Sequence, residues 1–491
     1  MNDTSRSSPD LRAAAKQTML ENGFEPDFPP QVAEQLAQLQ AHSPQMGRGE
    51  TVRDLRNLLW SSIDNDTSRD LDQVEVAERI PNGDIKVLVG IADVDAFVPK
   101  GSPIDLHAAK ETTTVYAGVQ NFSMLPDQLS TGITSLVEVG VKLSIVIEFT
   151  VGKDGSVKSS DVYRAWLQNK AQLAYNAVGA WLENTGPAPA KVAASPELQS
   201  QLKLQTEASQ ALKAQRFERG ALNIETVETQ PELVQGQVVN MVEQRRNLAT
   251  ELIENFMIAA NGVVARLLED HQLSSIRRVV QIPKRWDRIV EIASQQGGHL
   301  PAVPDSKALN DFLIARKSAD PDHFADLSLA VVKLLGPGQY VLEKVGVPEQ
   351  GHFALAVQDY THATAPNRRF ADLVTQRLIK ALLAGQPAPY SDDELGAIAQ
   401  NCTLKEDAAR KVEREMTKRM AAVAMAHRVG ESFDAIVTGV SPKGTFVRLV
   451  TPRVEGLLAQ GQQGVDVGDR VRVKLIRTDP QRGFIDFARI Q

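Results

Sequence analysis

Two kinds of periodicity run along this chain. Residues 74–80 and 85–91 are rich in β-branched side chains and are separated by Pro81-Asn82-Gly83-Asp84, which predicts two strands joined by an Asn-Gly hairpin turn. Residues 143–151 and those from Ser156 onward repeat the signal across Gly152-Lys153-Asp154-Gly155. Near the amino terminus the spacing is helical. Ser8 as cap and Pro9 at the first helical position predict a helix to about residue 22, and residues 31–40 predict a second. Strands are expected over about 52–170 and helices over about 169–429. One of these helices begins at Ser195-Pro196, after a Pro/Ala linker at 185–189, and a long one runs from Val238 to Asp270. From residue 433 the alternation returns in five short stretches with glycine turns, which predicts a small barrel.

These patterns divide the chain into a helical module at 1–50, ending in the linker 43–49, a large α+β domain at 51–429 and a barrel at 430–491. The helical module reads as a packing appendage or as a helix-turn-helix reader of nucleic acid. With 491 residues, 42% apolar, the chain is long enough for several domains. No run of about 18 apolar residues is evident, and Met1-Asn2-Asp3-Thr4-Ser5-Arg6 is too polar for a signal peptide. A single cysteine, Cys402, excludes an internal disulfide and reads as a small core or helix residue. A cytoplasmic protein without a membrane partner is expected. The net charge of −7 argues against a surface that is basic throughout, and leaves room for a basic channel inside an acidic exterior.

The candidate chemistry lies in the loop between the first strands, Ser61-Ser62-Ile63-Asp64-Asn65-Asp66-Thr67-Ser68-Arg69-Asp70-Leu71-Asp72-Gln73. Asp64, Asp70 and Asp72 have short side chains, so a tight loop holding all three makes a hard, oxygen-rich pocket of the kind Mg2+ takes, with water and phosphate completing its shell. The same residue types also build ordinary solvated turns. Residues 431–491 hold nine Lys/Arg against seven Asp/Glu, slightly basic within an acidic chain. Phe446, taken as exposed, together with Arg448, Arg470 and Arg472 would supply stacking and phosphate contacts to a single strand. The order of these segments resembles the S1 RNA-binding domain, an OB-fold.

An acidic loop and an S1-like barrel on one chain resemble the ribonuclease II family, which couples an RNB catalytic domain to such a barrel. Ile63-Asp64 followed by Asp70-Leu71-Asp72 looks like that family's acidic signature, and other motifs follow in its order. Among them are Ile91-Ala92-Asp93, Thr113-Thr114-Val115-Tyr116, Ser135-Leu136, Tyr360-Thr361-His362, Pro366-Asn367-Arg368-Arg369 and Val412-Glu413-Arg414-Glu415. The resemblance implies a processive, hydrolytic 3'-to-5' exoribonuclease that is a monomer, takes single-stranded RNA 3' ends and releases nucleoside 5'-monophosphates and a short 5' remnant. It implies Mg2+, as two ions with Mn2+ able to substitute, on Asp64, Asp70 and Asp72. Arg368 would hold the scissile phosphate, Tyr116 would stack on the terminal base, Glu413 would hold the terminal sugar, and Arg369 would add an RNA contact.

The chain also departs from the family pattern. Gln73 stands where a fourth aspartate is usual, Gly90 where a histidine is common and Ala365 where a serine is common; the last two are expected to alter hydrogen bonds behind the site. The usual amino-terminal cold-shock barrels and the lysine-rich tail of ribonuclease R are not in the sequence, a layout nearer to ribonuclease II. A catalytically weakened RNA-binding regulator, with Gln73 as its lost ligand, is the alternative. A phosphorolytic mechanism is disfavoured, because no glycine-rich anion loop opens a helix.

Overall fold

The computed structural model describes residues 10–41, 51–225, 228–347, 351–442 and 444–490. The expected cap Ser8 and the linker 43–49 lie outside the described residues. The first described helix, Leu11–Glu21, is capped by Asp10, whose carboxylate accepts from the backbone N–H groups of Arg12 and Ala13.

Nine strands build the first part of the catalytic-size domain: β1 Val52–Asp54, β2 Ser61–Asp64, β3 Gln73–Arg79, β4 Ile85–Ala92, β5 Val115–Tyr116, β6 Asn121–Phe122, β7 Lys142–Val151, β8 Val157–Leu167 and β9 Ala171–Ala174. Seven of them form one sheet in the order β1-β8-β7-β4-β3-β2-β9, and β5 pairs with β6 apart from it. Both expected hairpins form, β3 with β4 and β7 with β8. The second turn carries Gly155 at φ +74, against the backbone of Ala211, where a Cβ would lie 2.1 Å from the Ala211 carbonyl oxygen. Helices Pro196–Glu218 and Leu248–Asp270 lie over the sheet and bury Val87, Val89, Ile147 and Phe149. Phe149 meets Phe256 of the second helix edge to face, centroids 6.2 Å apart.

The expected helix from Val238 to Asp270 is corrected. Strands β10 Glu228–Val234 and β11 Gln237–Gln244 form a hairpin across Gln235 and Gly236, both at positive φ. The helix starts only at Leu248, because Asn247 and Thr250 close a capping box there. Its residues Leu248–Asp270 are long and apolar enough to cross a bilayer, a run the sequence reading did not credit, and 67% of the most apolar window is buried within the protein. A further pair, β12 Ser275–Val279 with β13 Gln339–Glu343, also interrupts the helical region.

The helix Asp392–Met425, 34 residues long, joins the two parts. Its early residues Leu395, Ala399 and Cys402 complete the main core, and its later residues Val412, Met416 and Met420 pack against a second core shared with the barrel. The barrel strands β14 Ser432–Ser441, β15 Gly444–Leu449, β16 Glu455–Gln460, β17 Arg470–Asp479 and β18 Phe484–Ile490 close in the order β14-β15-β16-β18-β17. The amino-terminal helices do not form a unit of their own. Ala15 and Met19 belong to the second core, Val32 of the helix Pro30–Ala41 belongs to the main one, and Arg419 of the long helix donates to Thr18 at 3.1 Å. Their apolar faces pack against these two cores.

Candidate active site

The acidic loop is held from both sides. Ser135 Oγ donates to the Arg69 carbonyl at 2.6 Å and accepts from the Leu71 N–H at 2.9 Å, while the Leu136 N–H donates to the Leu71 carbonyl at 2.9 Å. On the other side the Ala92 N–H donates to the Asp72 carbonyl at 3.0 Å. Asp64, at the end of β2, accepts from Ser68 Oγ and the Asn65 N–H, each at 2.8 Å. Asp72 is 1% exposed. Its Oδ1 accepts from the Asn367 N–H at 2.9 Å, and its Oδ2 has no hydrogen-bond partner, with Arg368 Nε 3.4 Å away. Burial pushes this carboxyl up to about 7, against the pull of Arg368. Burial also raises Asp70, whose Oδ2 lies 3.5 Å from the Tyr116 hydroxyl.

Arg368 arrives from a distant part of the chain through its backbone. The Thr114 N–H donates to the Arg368 carbonyl at 3.0 Å, and the Arg368 N–H donates to the Ala365 carbonyl at 3.2 Å. The turn is fixed by buried Asp372, whose Oδ1 accepts from the N–H groups of Thr364 and Ala365, both at 2.8 Å. Arg369 clamps the same carboxylate with Nε at 2.8 Å and Nη2 at 2.7 Å. The two adjacent arginines therefore differ. Arg369, expected to touch RNA, braces the turn, whereas the Nη atoms of Arg368 make no hydrogen bond among the described residues and its side chain is 41% exposed. A planar fork beside three carboxylates suits a bidentate phosphate contact.

Next to Arg368 opens a cavity of about 230 Å³, lined among others by Thr113, Tyr116, Tyr340, His362, Arg369 and Glu413. The Tyr116 N–H donates to Glu413 Oε1 at 3.2 Å, so the two residues expected to hold a terminal nucleotide meet at its wall. Tyr340 and His362 were not singled out by the sequence. They are joined by a 2.8 Å bond from the Tyr340 hydroxyl to His362 Nδ1, and burial beside Arg369 and Arg278 holds the imidazole neutral. The signal for His362 was its place in Tyr360-Thr361-His362; Tyr340 carries none.

Residues 52–385 match the RNB domain, and residues 431–490 match the RNase II-type exonuclease C-terminal S1 domain. The chain belongs to the RNB family. Ribonuclease R of Thermotoga maritima is 30% identical over 89% of this chain and 65% of its own length. Ribonuclease R 1 of Lactococcus lactis is 29% identical over 94% of this chain and 59% of its own. The chain thus spans about 60% of the length of these curated relatives. The solved structure of Mycoplasma genitalium RNase R in complex with ribose methylated single-stranded RNA has the same fold, with TM-score 0.87 and 24% identity over 98% of this chain and 78% of that one. The relatives carry the ribonuclease R name, so the layout preference for ribonuclease II stays an expectation.

Three features bear on whether these residues fit a cation. Among the described residues, no three His, Cys, Asp or Glu side chains are gathered tightly enough to hold a metal ion unaided. The acids do act on one another in pairs, Asp64 with Asp70 and Asp70 with Asp72. The orphaned Oδ2 of buried Asp72 and an all-carboxylate donor set fit a hard cation that keeps water and substrate phosphate in its shell.

Several expected contributions change. Phe446 is half-buried rather than exposed, because β15 is flanked by β14 and β16. Arg448 is paired with Asp326, Arg470 with His323 at 2.8 Å and Arg472 with Asp434 at 2.7 Å. The first two pairs dock the barrel onto the helix Pro321–Leu335, so these arginines have protein partners before any RNA. Gly90 lies among apolar side chains. A Cβ there would meet Leu167 at 2.4 Å and Val74 at 3.1 Å, so the space is filled by apolar side chains. Ala365 acts through its backbone alone. Cys402 is buried in the main core.

Proposed function

We propose that the chain is a Mg2+-dependent, processive 3'-to-5' exoribonuclease that hydrolyses single-stranded RNA to nucleoside 5'-monophosphates. The observation that carries the reading is the free fork of Arg368 against Asp72, at the mouth of a cavity walled by Tyr116 and Glu413.

Asp64, Asp70 and Asp72 would hold the cation, which supplies activation of water and neutralisation of charge on the leaving oxygen. Arg368 grips the scissile phosphate and meets charge that grows as the bond breaks. Tyr116 offers its half-exposed ring to the terminal base. Glu413, fixed at its Oε1 by the Tyr116 N–H, faces the terminal sugar. His362, kept neutral, offers hydrogen bonding without adding charge. A cytoplasmic monomer is part of the same reading.

The test is a time course on an unstructured RNA labelled at its 5' end, with Mg2+, Mn2+ or EDTA. Direct conversion to mononucleotides and a short remnant supports the proposal. RNA that is bound and left whole with either ion would favour the regulator reading, whose motive is Gln73.

A further inference from the structure

β3 leads away from the acidic loop with Gln73, Val74 and Glu75, and alternation along a strand puts positions 73 and 75 on one face. Glu75 is 0% exposed, and among the described residues neither of its carboxylate oxygens has a hydrogen-bond partner. It stands in register with Ser61 of β2, whose buried Oγ is also without a partner, and with Val89 of β4. Among the described residues, the charged group acting on it is Asp64, the first acid of the loop. Among the described residues, no arginine or lysine forms an ion pair with it. Tyr175, which opens the helix after β9, senses both Asp64 and Glu75.

A buried carboxyl with no donor and no cation is strongly disfavoured as an ion, and a central strand would hold a valine there without that cost. The lack of any protein partner calls for an explanation from outside the protein. We propose that Glu75 is a further acid of the cation site, supplying from two positions along β3 the negative charge that Gln73 does not carry. This rests on the reading of Asp64, Asp70 and Asp72 as that site. Glu75 would act on the Asp64 side, so the cation brings the carboxylate its missing partner.

The experiment is a Mn2+ titration of the full chain, followed by electron paramagnetic resonance and by the cation-induced rise in melting temperature, for wild type, Glu75→Gln, Glu75→Leu and Glu75→Gln with Gln73→Asp. The expected result is affinity weakened by about tenfold or more in both single variants, within the range seen when groups behind a metal site are removed. Gln73→Asp should then restore it in the Glu75→Gln background. Single variants that bind Mn2+ as wild type does and melt higher without it would overturn the proposal and make Glu75 a neutral core residue. Failure of the site itself is distinguishable, since the wild type would then neither bind Mn2+ nor degrade RNA.

Discussion

The backbone N–H of Asn367 donates to Oδ1 of Asp72 at 2.9 Å, across 295 positions of sequence. This bond locks the acidic loop to the turn that carries Arg368, and among the described residues it leaves Oδ2 of Asp72 without a hydrogen bond, 3.4 Å from Arg368 Nε. Asn at position 72 keeps the acceptor for Asn367 and loses the charge. Asp72→Asn is expected to lower RNA cleavage by about a thousandfold, the upper range for loss of one electrostatic contact at a reacting centre. RNA binding by filter or fluorescence assay and the melting temperature should be retained; cleavage near the wild-type rate would remove Asp72 from the site.

Arg368 and Arg369 should separate in a stability assay. Arg368→Ala is expected to fold normally and lose about a hundredfold or more in kcat, with Arg368→Lys a poor substitute because an ammonium cannot present a planar fork. Arg369→Ala leaves Asp372 with an uncompensated buried charge, and should melt several degrees lower by calorimetry.

The contact between Tyr116 and Glu413 predicts a change of product rather than of rate alone. Tyr116→Ala removes the ring from the cavity wall and should shift the length of the final 5' remnant on a denaturing gel, whereas Tyr116→Phe should not. Equal remnants for all three proteins would place the terminal base elsewhere.

His352 gives a pH dependence with a definite sign. Burial and nearby Arg278 lower its folded value to about 4 from 6.5. The unfolded chain therefore takes up a proton first as pH falls, so the contribution of this residue to stability is complete above 6.5 and is lost progressively towards 4. Wild type should lose melting temperature relative to His352→Gln over that window. A constant difference between the two would refute the assignment.

Arg448 tests whether barrel arginines dock or bind RNA. Arg448→Ala and Asp326→Ala should lower stability by similar amounts, and the double variant by little more than either, the signature of a coupled pair. An effect of Arg448→Ala confined to the salt dependence of RNA binding would assign it to RNA instead.

Local elements, and the candidate residues for chemistry, are legible in the sequence. The Asn82-Gly83 turn sets its hairpin, the glycine-spaced strands after residue 431 close into a barrel, and Asp64, Asp70, Asp72 and Arg368 stand out through motifs whose residue types the chemistry requires. Where local signals competed, the reading failed. Val238 looked continuous with the apolar helix behind it, although Gln235-Gly236 and the Asn247 cap divide the segment into a hairpin and a helix. Only the tertiary structure shows that Arg369 is clamped on Asp372 while Arg368 faces Asp72, that Phe446 is half-buried, and that Arg448 pairs with Asp326. It also isolated Glu75 as a carboxyl with no partner. Partners such as Asp372, Asp326 and Asn367 come from distant elements, and charge pairing depends on distance in space, which periodicity along one strand or helix does not encode.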